Sequence, residues 1–306
     1  VRVMCAAMLL LGPAALAGCG EQEVTSLPPV VEQAGERVRA ARCRFALPDP
    51  VAGAAARAAL EADLRRYVAA RPGRVVFAAR DLATGVRLGQ DEHRHDMITA
   101  SGAKVDILTA LMLLRSTLDA TEQDLATRMI TESDNFAADA LWWRVGAGDG
   151  MSAFYRRIGL HETAPGAGRY WGGTTTSPAD RLRLLALLAN GGKGLTPADR
   201  RLVLGLMSHV QADQAWGVSA AARPGDHVAL KNGWTPRPFI HNTWAVTSYG
   251  RITGPGRDLL LSVQTDQQAG EGQGIETIEG LARMIGGRLA GLTPVRTLSC
   301  PAGATP

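Results

Sequence analysis

The order of the periodic segments constrains this chain more than any other feature. Strand-like runs stand at Val75-Val76-Phe77-Ala78 and Val86-Arg87-Leu88, around the turn signal Ala83-Thr84-Gly85, and so predict a hairpin. Strand signals return only after residue 226, at Val228-Ala229-Leu230, Thr243 to Thr247 and Leu259 to Val263. The middle of the chain reads helical, and helical spacing also fills residues 51–70, before Pro72-Gly73, and Ile275 to Leu289. Strands at both ends with helices between them predict an α/β (α+β) architecture. One antiparallel sheet is flanked by the terminal helices, and an all-helical lobe is inserted into it, leaving a cleft at the junction. With 46% of 306 residues hydrophobic the core can be filled, which excludes collagen, coiled coil and disorder.

The helices of the lobe carry their own start and stop signals. Ile107 to Leu114 is apolar apart from Thr109, which predicts a helix buried on all sides. Thr121-Glu122-Gln123-Asp124 has the form of a capping box. Ser177-Pro178-Ala179-Asp180 and Thr196-Pro197-Ala198-Asp199 share a hydroxyl at the N-cap, Pro at the first helical position and Asp at the third. The first of these helices runs through Leu182, Leu185 and Leu188 to Gly191-Gly192.

Of 33 basic residues only Lys104, Lys193 and Lys231 are lysines. Arg cannot lose its proton and Lys can, so these positions are where a titratable amine is to be sought. The net charge of +4 comes from scattered arginines without a run, and no nucleic-acid footprint is read from it. Arg2 and the apolar stretch Val3 to Ala17 read as an export signal too short to span a bilayer. Residues 1–18 are accordingly expected to be removed, 19–50 to be a polar tether, 51–295 to fold, and 296–306 to be a tail. Within the folded part, 51–100 and 226–295 are expected to build the sheet portion and 101–225 the helical lobe. There is no CxxC and no Cys/His metal spacing. After export, Cys43 and Cys300, near the two ends of the mature chain, are left to pair or to remain as thiols.

Three short motifs carry chemistry. In Ser101-Gly102-Ala103-Lys104 the i, i+3 spacing can set an amine beside a hydroxyl at the start of a helix. Serine needs a neighbouring base to become a nucleophile, and lysine serves as one only if its pKa is lowered. The backbone N–H of Ser101 is free there for a developing oxyanion. Ser133-Asp134-Asn135 offers a second hydroxyl and an amide, or else simply a helix cap. Lys231-Asn232-Gly233 at a strand end offers a cation for a carboxylate and a glycine that admits an extended substrate, with the N–H of Trp234 as a second oxyanion donor.

In this order the set resembles the serine β-lactamase and penicillin-binding protein superfamily, most closely class A β-lactamases, over roughly residues 55–290. The Thr174-Thr175-Thr176-Ser177-Pro178 start resembles the segment after that family's omega loop. The resemblance implies Ser101 as acylated nucleophile, Lys104 as its base partner, Ser133 as proton shuttle, Asn135 on the substrate amide and Lys231 on its carboxylate. Asn232, Gly233 and Trp234 would complete the substrate site. It implies no cofactor and no metal. Separately, Leu16-Ala17-Gly18-Cys19 resembles the lipobox of bacterial lipoproteins, which implies lipid on Cys19 and an extracytoplasmic, membrane-anchored protein.

Two departures matter. The family's omega loop supplies a Glu that activates the deacylating water, whereas Ala164 to Gly173 contains no carboxylate. Glu162 is the nearest replacement in sequence. Asn232 stands where Thr or Ser is usual. The expectation is an active-site-serine hydrolase acting on β-lactam-like, D-alanyl-peptide or ester substrates, acylated readily and released slowly. The alternatives are an efficient class A β-lactamase and a non-catalytic binding lipoprotein. His93-Arg94-His95-Asp96 superficially resembles an HxHxD metal motif without further ligands and reads as an exposed loop. Trp171, Trp216 and Trp234 are expected near the cleft, as a substrate wall or as packing.

Overall fold

The computed structural model describes residues 45–298 except 116, 168 and 169, with side chains from 47 to 295. Along the chain run β1 (Phe45–Pro48), α1 (Pro50–Ala69), β2 (Arg74–Asp81), β3 (Arg87–Gln90) and β4 (Met97–Ile98). The lobe follows: α2 (Ala103–Leu114), α3 (Ala120–Thr131), α4 (Asn135–Arg144), α5 (Ala147–Ile158), β5 (Thr175–Thr176), α6 (Pro178–Asn190) and α7 (Pro197–Met207). Then come β6 (His227–Arg237), β7 (Thr243–Gly254), β8 (Arg257–Gln268), α8 (Glu271–Arg288) and β9 (Val295–Leu298). Residues 48–296 form one compact unit. β1 and β9 pair with each other in a two-stranded sheet, so the predicted tether and tail each supply a strand.

The main sheet has the order β3-β2-β8-β7-β6, with every pair antiparallel. β2 from the N-terminal part lies beside β8 from the C-terminal part, from Arg74 opposite Asp266 to Asp81 opposite Leu259. This is the sheet built from both chain ends that the segment order predicts. β6 is therefore an edge strand. One face of the sheet packs Phe77, Ala79, Leu230, Leu261 and Val263 against Leu60 and Leu64 of α1 and Ile278, Leu281 and Ile285 of α8. The lobe has a second core, from Val105, Leu108 and Leu111 of α2 to Trp142, Tyr155 and Leu184, which reaches the sheet at Tyr249 and Leu260.

Local signals set most boundaries. Ser177 Oγ accepts from the Asp180 N–H at 3.0 Å, and Thr196 forms a reciprocal capping box with Asp199. α2 is buried from Ala103 to Met112, as its apolar run predicts. The box of α3 differs. Its N-cap is Asp119, which accepts from Glu122 N–H at 2.8 Å while Glu122 reaches back to Asp119 N–H. Two overlapping patterns compete here, and the register in which a long Glu closes the reciprocal bond prevails over Thr121/Asp124. The short β4–β5 pair, Met97 opposite Thr176 and Ile98 opposite Thr175, has no sequence signal, because two residues carry no period.

Two lobe helices are tied to each other by charges without access to water, and one of those charges reaches the sheet. Asp106 on α2 and Arg181 on α6 are fully buried and lie 2.6 Å apart. Tyr155 OH donates to Asp106 at 3.1 Å, and Arg181 Nε donates to Thr176 Oγ1 at 3.1 Å. The Arg181 guanidinium also lies 5.5 Å from the Tyr249 ring centroid. Removing one partner of such a pair strands the other charge. Arg181→Met is therefore expected to cost about 3–5 kcal/mol in urea unfolding, whereas Arg283→Ala, which breaks only an exposed i, i+4 pair with Glu279, is expected to cost under about 1 kcal/mol.

Candidate active site

Ser101 sits in a single 3-10 turn, Ala100–Gly102, that feeds α2. The turn is held from three sides. Tyr249 OH donates to the Gly102 carbonyl at 2.8 Å, Thr99 N–H donates to the Thr174 carbonyl at 2.8 Å, and Gly233 of β6 lies directly against it. A Cβ on Gly233 would stand 2.1 Å from the Thr99 carbonyl oxygen and 2.9 Å from the Ser101 nitrogen. That close approach is why β6 needs glycine here. Ala100, with φ of 46°, holds the left-handed conformation immediately before the serine.

The second motif divides its labour. Asp134 is the N-cap of α4, accepting from the N–H groups of Phe136 at 2.7 Å and Ala137 at 3.2 Å, and it pairs with Arg128 at 2.9 Å. Capping thus occupies the middle residue and leaves its neighbours to the site. Ser133, at φ 59°, turns between α3 and α4. Lys104 Nζ donates to the Ser133 carbonyl at 2.5 Å, to Ser133 Oγ at 3.0 Å and to Asn135 Oδ1 at 2.8 Å. Lys231 Nζ reaches the same Ser133 Oγ at 3.1 Å and the Asn232 carbonyl at 3.1 Å. One hydroxyl therefore bridges two amines, both fully buried. Among the described residues the Ser101 hydroxyl makes no hydrogen bond, and neither does the side-chain nitrogen of Asn135.

Burial sets the protonation of both amines. It pulls Lys104 from the ordinary 10.5 down to about 7, against the charges of Asp134 and Asp139, which favour the cation. It also pulls Lys231 down to about 7, helped by repulsion from Lys104. A lysine poised there can take a proton from a hydroxyl at neutral pH.

Asn232 and Trp234 face the other way. Side chains alternate along a strand. Lys231 and Gly233 look toward the lobe, whereas Leu230 and Trp234 pack with the core beneath the sheet. The fully buried Asn232 donates through Nδ2 to the Gln214 carbonyl at 2.8 Å and the Trp216 carbonyl at 3.0 Å. Its amide is thus committed to the 211–217 segment, not available to a substrate carboxylate as expected. The Trp234 ring meets Trp216 edge-on at 5.8 Å, which makes this pair packing and leaves only the Trp234 backbone toward the site. The signal that would have shown this is strand alternation continued from Leu230 through Trp234.

Glu162 is held away from the two lysines. Its carboxylate accepts from Ser177 Oγ, lies 2.8 Å from His93 Nδ1 and 3.4 Å from Arg183. Partial burial would raise its pKa, but Ser177, His93 and Arg183 hold it below the ordinary value. None of these groups touches Lys104 or Ser133. The His93-Arg94-His95-Asp96 stretch is likewise spent locally, with His93 on Glu162 and Asp96 paired to Arg74 at 2.8 Å. Among the described residues no cluster could hold a metal ion.

What faces Lys104 from the loop is Trp171. The amine lies 4.8 Å from the indole centroid, and the indole N–H donates to Asp139 Oδ1 at 2.6 Å. Sequence reasoning placed Trp171 near the cleft but missed Asp139. Its signal was the i, i+4 spacing from Asn135, which sets both on one face of α4. Cys19, Cys43 and Cys300 lie outside the described residues.

Comparison with known proteins agrees with this fold. The family model described as "Beta-lactamase enzyme family" matches residues 112–289, a span that includes the second and third motifs and begins after Lys104. The proteins described as "Putative lipoprotein LppW" of Mycobacterium tuberculosis and Mycobacterium bovis are 28% identical over 220 residues, 68% of each chain. Among solved structures, PBP-A has a TM-score of 0.64 at 20% identity, over 76% of this chain and 96% of its own. A β-lactamase from Xanthomonas campestris has 0.64 at 20%, over 79% and 100%. An ancestral class A β-lactamase has 0.62 at 21%, over 74% and 98%. With the model matched over more than half its length, the chain belongs to the beta-lactamase enzyme family.

Proposed function

We propose that the protein is an active-site-serine hydrolase that forms an acyl-enzyme through Ser101 and releases it slowly. The observation that carries this reading is the single hydroxyl of Ser133 bridging two buried lysines, with an indole and, among the described residues, no carboxylate in contact with Lys104. In the acylation step Ser101 Oγ attacks the substrate carbonyl and its proton passes to neutral Lys104. Ser133 then relays a proton to the leaving nitrogen as the acyl C–N bond breaks. The N–H of Ser101 and that of Trp234 on the edge strand β6 are the donors for the oxyanion. Asn135 offers its free amide N–H to the substrate, and Lys231 supplies the charge for a carboxylate. Substrates of this chemistry are β-lactam-like compounds and D-alanyl peptides or esters. A point mutant of PBP-A is known as an acyl-enzyme complex with penicillin G, which supports the use of that compound as probe.

Hydrolysis of the acyl-enzyme needs a base for water, and general-base assistance is worth ~10²–10⁴-fold. Glu162, Asp134 and Asp139 all accept hydrogen bonds elsewhere. The lack of a hydrogen bond to the Ser101 hydroxyl among the described residues and the inward turn of Asn232 favour a second reading, a binding protein that keeps the fold without chemistry.

We further propose that the chain is exported and anchored through lipid on Cys19, and that Cys43 and Cys300 form a disulfide. The lipoprotein description of the mycobacterial relatives supports the anchor. The pairing of β1 with β9, strands that begin and end the described chain, supports the bridge.

Incubation with penicillin G followed by intact-mass measurement is expected to give one adduct that persists for minutes or longer, and none with Ser101→Ala. No adduct on the wild type favours the binding protein, and loss of the adduct within a second reveals an efficient β-lactamase. At saturating penicillin G the acylation rate is expected to rise with pH through about 7, because only the neutral amine of Lys104 accepts the serine proton. The concentration needed for saturation is expected to rise over the same range as Lys231 loses the charge that holds the carboxylate; a saturated rate that is flat between pH 6 and 8 would exclude the role of Lys104. For the termini, the full chain expressed in a bacterium is expected to partition into detergent and to resist thiol alkylation until reduced. A Cys19→Ala variant that still partitions, or a thiol that alkylates at once, removes the anchor or the bridge respectively.

A further inference from the structure

Four partners surround the amine of Lys104. As the ammonium it has three hydrogens for three acceptors, the Ser133 carbonyl, Ser133 Oγ and Asn135 Oδ1, at 2.5, 3.0 and 2.8 Å; as the neutral amine it keeps two of them and a lone pair. The Trp171 ring, only 4% exposed, is the fourth. An indole face attracts the cation but offers a water molecule no strong acceptor. The ring is fixed rather than loosely packed. Its N–H is bonded to Asp139 at 2.6 Å, and the Trp171 carbonyl accepts from Thr174 N–H at 3.0 Å. Ala164 and Thr175 exchange two backbone hydrogen bonds of 3.0 Å, which closes the base of the loop. The next carbonyl, that of Thr174, holds Thr99 beside the Ser101 turn.

We propose that Trp171 is a positioning residue, anchored by Asp139, that seals Lys104 from water and thereby keeps the acyl-enzyme long-lived. The inference rests on the acyl-enzyme reading above for its consequence, but the seal itself is a property of the free protein. In deacylation a water oxygen bonds to the acyl carbon and the bond from that carbon to Ser101 Oγ breaks. One water proton goes to a base and from it to the serine oxygen, which restores the hydroxyl and releases the acid. Lys104 is the buried amine three residues from the serine, and with the indole in place no water can stand against it. The loop therefore does the reverse of supplying a base: it denies water to the base that acylation uses.

The test uses the whole protein and two readouts. First, after reaction with penicillin G and removal of the excess, the Ser101 adduct is followed by intact mass. Trp171→Leu is expected to shorten its half-life at least tenfold, and Trp171→Phe, which keeps a ring face, to restore it to within threefold of wild type. Asp139→Leu, which removes the anchor, is expected to act like Trp171→Leu, whereas Asp139→Asn retains an acceptor oxygen and is expected to act like wild type. If Asp139 were instead a deacylation base, Asp139→Asn would lengthen the half-life and overturn the proposal. An unchanged half-life in Trp171→Leu, or a Phe variant as short-lived as Leu, overturns it too.

Second, ¹⁵N-lysine NMR follows exchange of the side-chain amine hydrogens with water, which three lysines in the chain make readable. Exchange at Lys104 is expected to be at least tenfold faster in Trp171→Leu than in wild type, and unchanged exchange refutes the seal even if no variant forms an adduct. A wild type that gives no adduct but shows the exchange difference would therefore retain the seal and defeat only the acyl-enzyme reading.

Discussion

The contact between Asp106 and Arg181 is the constraint on which the rest of the arrangement depends. Both groups are fully buried, so each is stable only where the other is, and that requirement fixes α2 against α6 through an Nη1–Oδ1 contact of 2.6 Å. The same guanidinium reaches Thr176 of β5 and Thr163 at the base of the omega-like loop. It also lies over Tyr249, whose hydroxyl holds the Gly102 carbonyl next to Ser101. The serine turn, the loop that carries Trp171 and the central sheet are thus referred to one buried charge pair. Hydrophobic packing brings these elements together without specifying their register, whereas the ion pair and its hydrogen bonds tolerate only one.

Burial does a second and different job a few residues away. Lys104 and Lys231 have no carboxylate in contact, unlike Arg181, and the protein meets the cost of their desolvation by lowering their affinity for protons. Their hydrogen bonds all go to oxygens without formal charge: two backbone carbonyls, one hydroxyl and one amide. A carboxylate at Lys104 would favour the ammonium and provide a place for water. The indole of Trp171 covers the amine and brings no formal charge to it, so a loop without an acid bears on two properties of the site at once.

Much of the fold was legible in the chain. The order of strand and helix signals led to the sheet built from both ends, and the Ser177 and Thr196 caps led to the starts of α6 and α7. Local rules decide such features, because a cap needs only its own first turn. The overlapping boxes at Asp119 and Thr121 show the limit, since two local rules conflicted and only the assembled helix chose. The β4–β5 pair was invisible because two residues carry no period.

Of the candidate site, the sequence by itself determined the chemistry available: a serine, two lysines among a multitude of arginines, a second hydroxyl, an amide and a loop without an acid. Tertiary structure decided where those groups point. Alternation along β6 turned Asn232 and Trp234 into the core while Lys231 faced Ser133. The network around His93 drew Glu162 away from the amines. Asp139, unremarkable in the sequence, became the anchor that lays Trp171 over Lys104. Residue type fixes what a side chain can donate, accept or titrate. Which partner it meets, and whether water is present when it does, depends on contacts between segments far apart in the chain.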